Sequence, residues 1–307
     1  MVVLRTVLRF AMAPYYQRID VLVNVAAGKQ HAAVVEQLTE AFRAAGLDAE
    51  IRLIEGPAIA REAAEAIARG STLIVAAGGD GTVSAAASAV ANSGATLAVL
   101  PLGTLNHFAN DLGIPLDAAK AAQAIAAGRD IEIDLGEVNG RTFINNASIG
   151  MYASLVSERA AMQRIGRGKW IAHGLAAMRV WRRYQRLRVV LDVDGQTRDA
   201  RTPFVFVGNN EYQLSGFELG GRKGLNAGRL HVCMAPGMTR GGVGRLILVA
   251  VFGDVCSLDG FESLPAESVR LDAGVARVKA SVDGEVVTFD NPLTFRIRRR
   301  ALRVRVA

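Results

Sequence analysis

Ala76-Ala77-Gly78-Gly79-Asp80-Gly81-Thr82-Val83 joins two segments of different character. An apolar run, residues 72–77, leads into the glycines, and a small-residue segment, 84–91, leads out of them. The first has the composition of a buried strand and the second that of a helix, so the glycines fall on a strand-to-helix turn with backbone N–H groups facing outward. Such a turn suits phosphate. Glycine allows positive φ and close approach of a ligand to the backbone, while Asp80 can orient a hydrated cation or a nucleotide hydroxyl. Gly-Gly-Asp-Gly is also a common tight turn, so the flanking chain has to decide between the two.

Upstream, residues 19–24 form an apolar run ending in Asn24, and a turn carrying Gly28 follows. Helical spacing covers 31–45, a short strand 50–53 and an Ala-rich helix 59–68. Downstream, a strand over 97–100 ends in Pro101-Leu102-Gly103-Thr104-Leu105-Asn106-His107-Phe108, and a further helix spans 116–127. Strand-helix alternation of this kind predicts a parallel sheet with right-handed crossovers, whose ligands bind at the carboxyl ends of the strands. The turns at Asn24, Asp80 and Gly103 share that edge, which points to a nucleotide site.

The second half changes in kind. Residues 131–138, 141–147, 188–193 and 197–206 alternate or run apolar, with Asn139-Gly140 and Asp194-Gly195 as two-residue hairpin turns. Strands are also expected over 270–282, 286–289 and 294–306, and helical stretches over 157–185 and 242–255. The expected organisation is a basic N-terminal extension (1–18), an α/β domain (19–130) and an antiparallel β-rich domain (131–307). The alternating arginines of the last strand read as one solvated basic face.

Composition narrows the function. The 307 residues are 50% hydrophobic with a net charge of +7, and segments 1–18, 158–190 and 294–307 hold 18 of the 36 Lys and Arg. With only 6% aromatic residues and no stacking platform or helix-turn-helix pattern, an anionic membrane surface fits these bases better than nucleic acid. Arg179, Arg182, Arg183 and Arg186, three or four apart beside Trp181, are the candidate contacts. Cys233 and Cys256 read as core thiols of a reducing, cytoplasmic compartment, and the four histidines show no zinc-ligand spacing. No apolar run reaches the length of a transmembrane segment.

Asn24 to Lys29, Gly78 to Val83, Pro101 to Asn106, Phe143-Ile144-Asn145-Asn146-Ala147-Ser148-Ile149-Gly150 and Asp283-Gly284-Glu285 together resemble the soluble diacylglycerol kinase and sphingosine kinase family of lipid kinases, in order and spacing, from about residue 19 to the end. The resemblance implies an NAD kinase/diacylglycerol kinase-like α/β domain, a β-rich second domain and a cleft between them. It implies ATP and Mg2+ as cofactors. Gly28, Gly78, Gly79, Asp80, Gly81, Thr82, Val83 and Ser84 would cradle phosphates, and Asn24, Gly103, Thr104 and Asn106 would line the nucleotide. Asp80 would orient the metal and Glu285 would be the general base, whereas from the residues alone Asp-Gly-Glu is a hairpin turn and Asp283 competes for the role.

The implied activity is transfer of the ATP γ-phosphate to the hydroxyl of diacylglycerol or a related lipid, on the inner membrane face, with a homodimer as a candidate assembly. A catalytically weakened homologue and a kinase of a soluble acceptor such as NAD are the alternatives. Four positions depart from the family pattern. Ser84-Ala85 stands where Asn-Glu is usual, His107 where an Asp is usual and Ile54 where a Thr is common. Asn226-Ala227-Gly228 replaces an acidic loop that holds a structural magnesium in some relatives.

Overall fold

A computed structural model describes residues 18–27, 31–104, 106–150, 186–211, 222, 224–239, 241–242 and 262–307. The Gly28 turn, residues 1–17, the whole of the basic 157–185 stretch, the 242–255 stretch beyond 242, and Cys256 lie outside them.

From residue 19 strands and helices alternate up to β4, after which two helices follow: β1 (Ile19–Asn24), α1 (His31–Ala44), β2 (Glu50–Ile54), α2 (Ile59–Ala68), β3 (Leu73–Gly78), α3 (Asp80–Val90), β4 (Thr96–Pro101), α4 (His107–Asp111) and α5 (Ala118–Ala127). β1 pairs in parallel with β2 and β3, and β3 with β4, giving the order β2-β1-β3-β4. Every residue of β3 and β4 is buried, as expected of a parallel strand covered by helices on both faces.

β5 (Arg129–Val138), β6 (Arg141–Phe143), β7 (Asn146–Gly150), β8 (Leu187–Val193), β9 (Gln196–Thr202), β10 (Phe204–Asn209), β11 (Leu230–Met234), β12 (Glu262–Ala266), β13 (Ser268–Asp272), β14 (Arg277–Val282), β15 (Glu285–Asp290) and β16 (Leu293–Val306) make up the β-rich part. Six of them form an antiparallel sheet ordered β12-β11-β10-β7-β14-β15. β11 and β12 went unforeseen because each is only five residues long and, in β12, carries a proline and exposed polar residues.

β16 joins the two halves. Its first part pairs antiparallel with β13, and its last part pairs in parallel with β4 at Arg303↔Thr96, while β5 follows it antiparallel along its length across a bulge at 298–302. Leu293 and Phe295 accordingly enter the core of the β sandwich, whereas Leu302, Val304 and Val306 enter the core of the α/β half. The basic face of this strand is solvated at Arg296, Arg299, Arg300 and Arg303, but Arg305 is fully buried. Its guanidinium donates to Asp130 (3.0 Å) and to the Ile125 and Ala126 carbonyls, because the end of β16 packs under α5. Cys233 is a buried thiol of β11, pushed up to about 11 by burial and therefore protonated at neutral pH.

Candidate active site

α3 begins at Asp80, four residues earlier than the small-residue pattern indicates, with Gly79 as its N-cap. Gly79 has no side chain to cap the helix, and the first-turn bonds present are Thr82 N and Val83 N donating to Gly79 O. The N–H groups of Asp80 and Gly81 lead this turn on its open side. A Cβ on Gly81 would meet nothing within 4 Å, so this residue borders free space. Thr82 and Val83 instead turn inward and are buried.

The other glycines of the motif serve a close approach between turns. A Cβ on Gly78 would lie 2.4 Å from Thr82 Oγ1, and one on Gly103 would lie 2.4 Å from the Gly79 Cα. Real Cβ contacts of that length do not occur, so the turns after β3 and β4 can touch backbone to backbone only as glycine. Asn106, at φ 52°, closes the second turn: its side chain accepts from Gly103 N and donates to Gly103 O, both at 3.0 Å. Thr104 stays exposed between them. Asp80 accepts a long bond, 3.4 Å, from Phe108 N, which aims its carboxylate across the gap between the two turns.

Asn24 reaches the same place from β1. Its Nδ2 donates to Thr82 Oγ1 (2.8 Å) and its Oδ1 accepts from Ala26 N (3.0 Å), so this side chain fastens the end of β1 to α3.

The Asp-Gly-Glu turn between β14 and β15 closes the site from the other half of the molecule. Asp283 is partly buried at φ 47°, and its carboxylate accepts four hydrogen bonds. The donors are Ile144 N (2.9 Å), Asn145 N (2.8 Å), Asn146 N (3.1 Å) and Ser84 Oγ (2.6 Å). Burial holds the Asp283 carboxyl above its ordinary value, and the Ser84 hydroxyl and the three peptide N–H groups oppose that rise. Four donors and no acceptor suit the carboxylate form. Glu285, two residues on, is different: its side chain is 70% exposed and its Oε2 meets Arg141 Nη2 at 2.5 Å.

Arg222, which sequence reading passed over, reaches into the site. Its fully buried guanidinium donates to Asp111 Oδ2 from Nε (2.9 Å) and Nη2 (2.7 Å), donates to Ile144 O (2.6 Å), and lies over the Phe108 ring at 5.6 Å. Burial raises the Asp111 carboxyl from its usual value, and Arg222 opposes that rise. An arginine among glycines carries no local signal of its partner 111 residues away. The 224–228 loop is held by protein groups: Asn210 Oδ1 accepts from Ala227 N and Asp134 Oδ2 from Gly228 N.

All five sequence motifs thus meet, through Asn24–Thr82, Gly79–Gly103, Asp80–Phe108, Ser84–Asp283 and Asp283–Asn146. Residues 18–138 match the diacylglycerol kinase catalytic domain, and residues 146–306 match the YegS C-terminal NAD kinase beta sandwich-like domain, over half of the chain. The chain belongs to the soluble diacylglycerol and lipid kinase family.

Within that family, a "Probable lipid kinase YegS-like" of Klebsiella pneumoniae (strain 342) is 37% identical over 152 residues, 46% of this chain and 51% of that protein. The chain spans between 36% and 52% of the length of the YegS-like relatives it matches. A diacylglycerol kinase of Bacillus subtilis (strain 168) is 29% identical over 262 residues, 84% of each chain. The crystal structure of a diacylglycerol kinase from Bacillus anthracis str. Sterne shares the fold, with a TM-score of 0.69 at 19% identity, over 95% of this chain and 97% of that one. Family membership agrees with the parallel α/β sheet joined to an antiparallel sandwich.

Proposed function

We propose that this chain is an ATP-dependent lipid kinase that phosphorylates the hydroxyl of diacylglycerol or a related lipid at the cytoplasmic membrane surface. The observation that carries the reading is the 2.6 Å bond from Ser84 to Asp283, which joins the phosphate-type turn to the acceptor-side turn across 199 residues of sequence. A phosphotransferase needs the two held together, because catalysis of phosphoryl transfer is mostly orientation and charge neutralisation.

The residues fit ATP and Mg2+. The uncapped first turn of α3 and the open space beside Gly81 suit a phosphate chain. Among the described residues no group of three or more His, Cys, Asp or Glu gathers, so a magnesium would be held by Asp80 together with phosphate oxygens and water. Bound Mg-ATP supplies the phosphoryl group and neutralises charge that develops on it. Asp80 would hold the cation, the Asp80 and Gly81 N–H groups would bind the phosphates, and the Glu285 carboxylate would take the acceptor hydroxyl's proton. Arg141 positions that carboxylate, and Asp283 positions the turn.

Among the described residues no helix is long and apolar enough to cross a membrane. Labelled ATP offered with diacylglycerol, other lipid alcohols in mixed micelles, and NAD tests the reading. Phosphorylated diacylglycerol or a related lipid is expected; a labelled NAD product, or no product from any acceptor, overturns it.

A further inference from the structure

A cavity of about 760 Å³ opens between the turn that leads into β11 and the strands β13 and β16, lined by Arg229, Ser268, Arg296 and Arg299 with two acids, Asp194 and Glu267. None of these residues belongs to the site described above. Both acids are already engaged by protein groups. Asp194 accepts from the peptide N–H groups of Glu267 (3.1 Å) and Ser268 (2.8 Å), and Glu267 Oε1 accepts from Arg299 Nη2 at 2.6 Å. Gly228, at φ 69°, brings its backbone so close to Arg299 that a Cβ there would lie 2.8 Å from Nε. The same turn delivers Arg229 to the cavity. Arg296 stands opposite Glu137 in the register of β16 with β5, yet Glu137 Oε2 meets Arg298 Nη1 (3.4 Å) instead. Among the described residues, the exposed guanidiniums of Arg229 and Arg296 meet neither a carboxylate nor any other acceptor.

Cations that line one cavity without a counter-charge repel each other, and an anion bound between them relieves the repulsion. We propose that this cavity binds a phosphomonoester. Two free positive charges match a dianion, the guanidinium forks match phosphate oxygens, and the exposed Ser268 hydroxyl adds a donor. The volume falls in the range of small-molecule sites, about 300–1,000 Å³, so there is room for the group that carries the phosphate. A ligand here ties the turn before β11 to β16 just ahead of the bulge at 298–302, where that strand leaves β13 and goes on to β4. Binding therefore fastens the joint between the two halves of the molecule.

The phosphate can be free or on a lipid headgroup, and the probes separate the two sources. Inorganic phosphate and glycerol 3-phosphate are titrated calorimetrically into the full chain at fixed ionic strength, with melting curves at each concentration. Phosphatidylcholine vesicles carrying phosphatidate, or phosphatidylglycerol at matched charge, are tested by co-sedimentation. Wild type is compared with the Arg229→Gln, Arg296→Gln double variant and with Arg188→Gln, an exposed arginine outside the cavity. The double variant is expected to bind the phosphomonoester at least about tenfold more weakly and to lose the ligand-induced rise in melting temperature, while Arg188→Gln behaves as wild type. Because both substitutions lie away from the α3 turn, phosphate bound at that turn is unaffected by them. A loss seen with the soluble probes upholds a free ligand, and a loss confined to phosphatidate vesicles upholds a headgroup. Binding of every probe that is absent, equal in wild type and double variant, or equally weakened by Arg188→Gln overturns the site. An equal loss on phosphatidylglycerol and phosphatidate vesicles, with no soluble probe bound, also overturns it, since the arginines then read surface charge alone.

Discussion

Asp283 and Glu285 stand two residues apart in opposite surroundings, one tied by four donors and the other 70% exposed beside Arg141. Asp283→Asn puts an amide where four donors converge, so it is expected to lower stability by about 2–4 kcal/mol and to lose activity with it. Glu285→Gln is expected to leave the melting curve in place and to lower kcat at least about a hundredfold with little change in nucleotide affinity. Chemical denaturation and steady-state kinetics on both variants separate the roles; full activity in Glu285→Gln would assign the base elsewhere. Asp80→Asn keeps the shape of the side chain and its single long contact to Phe108, so an intact fold and a kcat lower by roughly a hundredfold or more are expected, read from the same two measurements. The identity of these acids was legible in the sequence through the resemblance. The clamp on Asp283 was not, because its donors are peptide N–H groups that any residue supplies.

α3 and the turns around it show two kinds of glycine that look alike in sequence. Gly103 is needed because its turn touches Gly79, whereas Gly81 has open space on the side where a Cβ would project. Gly103→Ala is expected to cost about 1–3 kcal/mol by forcing the two turns apart, and to weaken nucleotide binding as a consequence. Gly81→Ala is expected to hold or slightly raise the melting temperature, since alanine suits a helical position better, while nucleotide affinity falls. Calorimetric melting with nucleotide titration distinguishes the two patterns. At the turn after β13 a carboxylate sets a pH dependence: Asp272 accepts from Asn291 Nδ2 (2.6 Å) and Gly274 N (2.8 Å), which hold it below the ordinary carboxylate range. A depressed folded value means stability that is present above the unfolded value near 3.9 and is lost as pH falls through the folded one. Asp272→Asn is expected to flatten that acid limb in melting curves taken from pH 5 to pH 2.

The two halves of the molecule are bound by groups drawn from the whole chain. β16 pairs with β4 some two hundred residues earlier, and Arg222 joins Asp111 on α4 to the Ile144 carbonyl before β7. Asp111→Asn leaves the guanidinium buried without its counter-charge, so a loss of about 3–5 kcal/mol is expected in urea unfolding, far beyond that of a surface pair such as Arg188–Asp199. Replacing both members by apolar residues of similar volume should recover much of that loss, which distinguishes an unpaired charge from lost packing.

By itself the sequence determined the alternation of strands and helices through residue 127, the parallel sheet that alternation implies, the antiparallel character of the second half, and the five motifs that the fold brings together. These follow from short-range causes: side-chain periodicity, glycine at turns and apolar runs at strands. Only the tertiary structure decided that α3 starts at Asp80, because helix initiation there depends on an uncapped glycine wedged against Gly103. It alone decided that Arg305 is buried while its neighbours on β16 are solvated, and that Arg222 and Ser84 reach partners 111 and 199 residues away. Each of those outcomes is a pairing between distant residues whose free energy depends on burial and on the other member, neither of which leaves a mark in the local pattern.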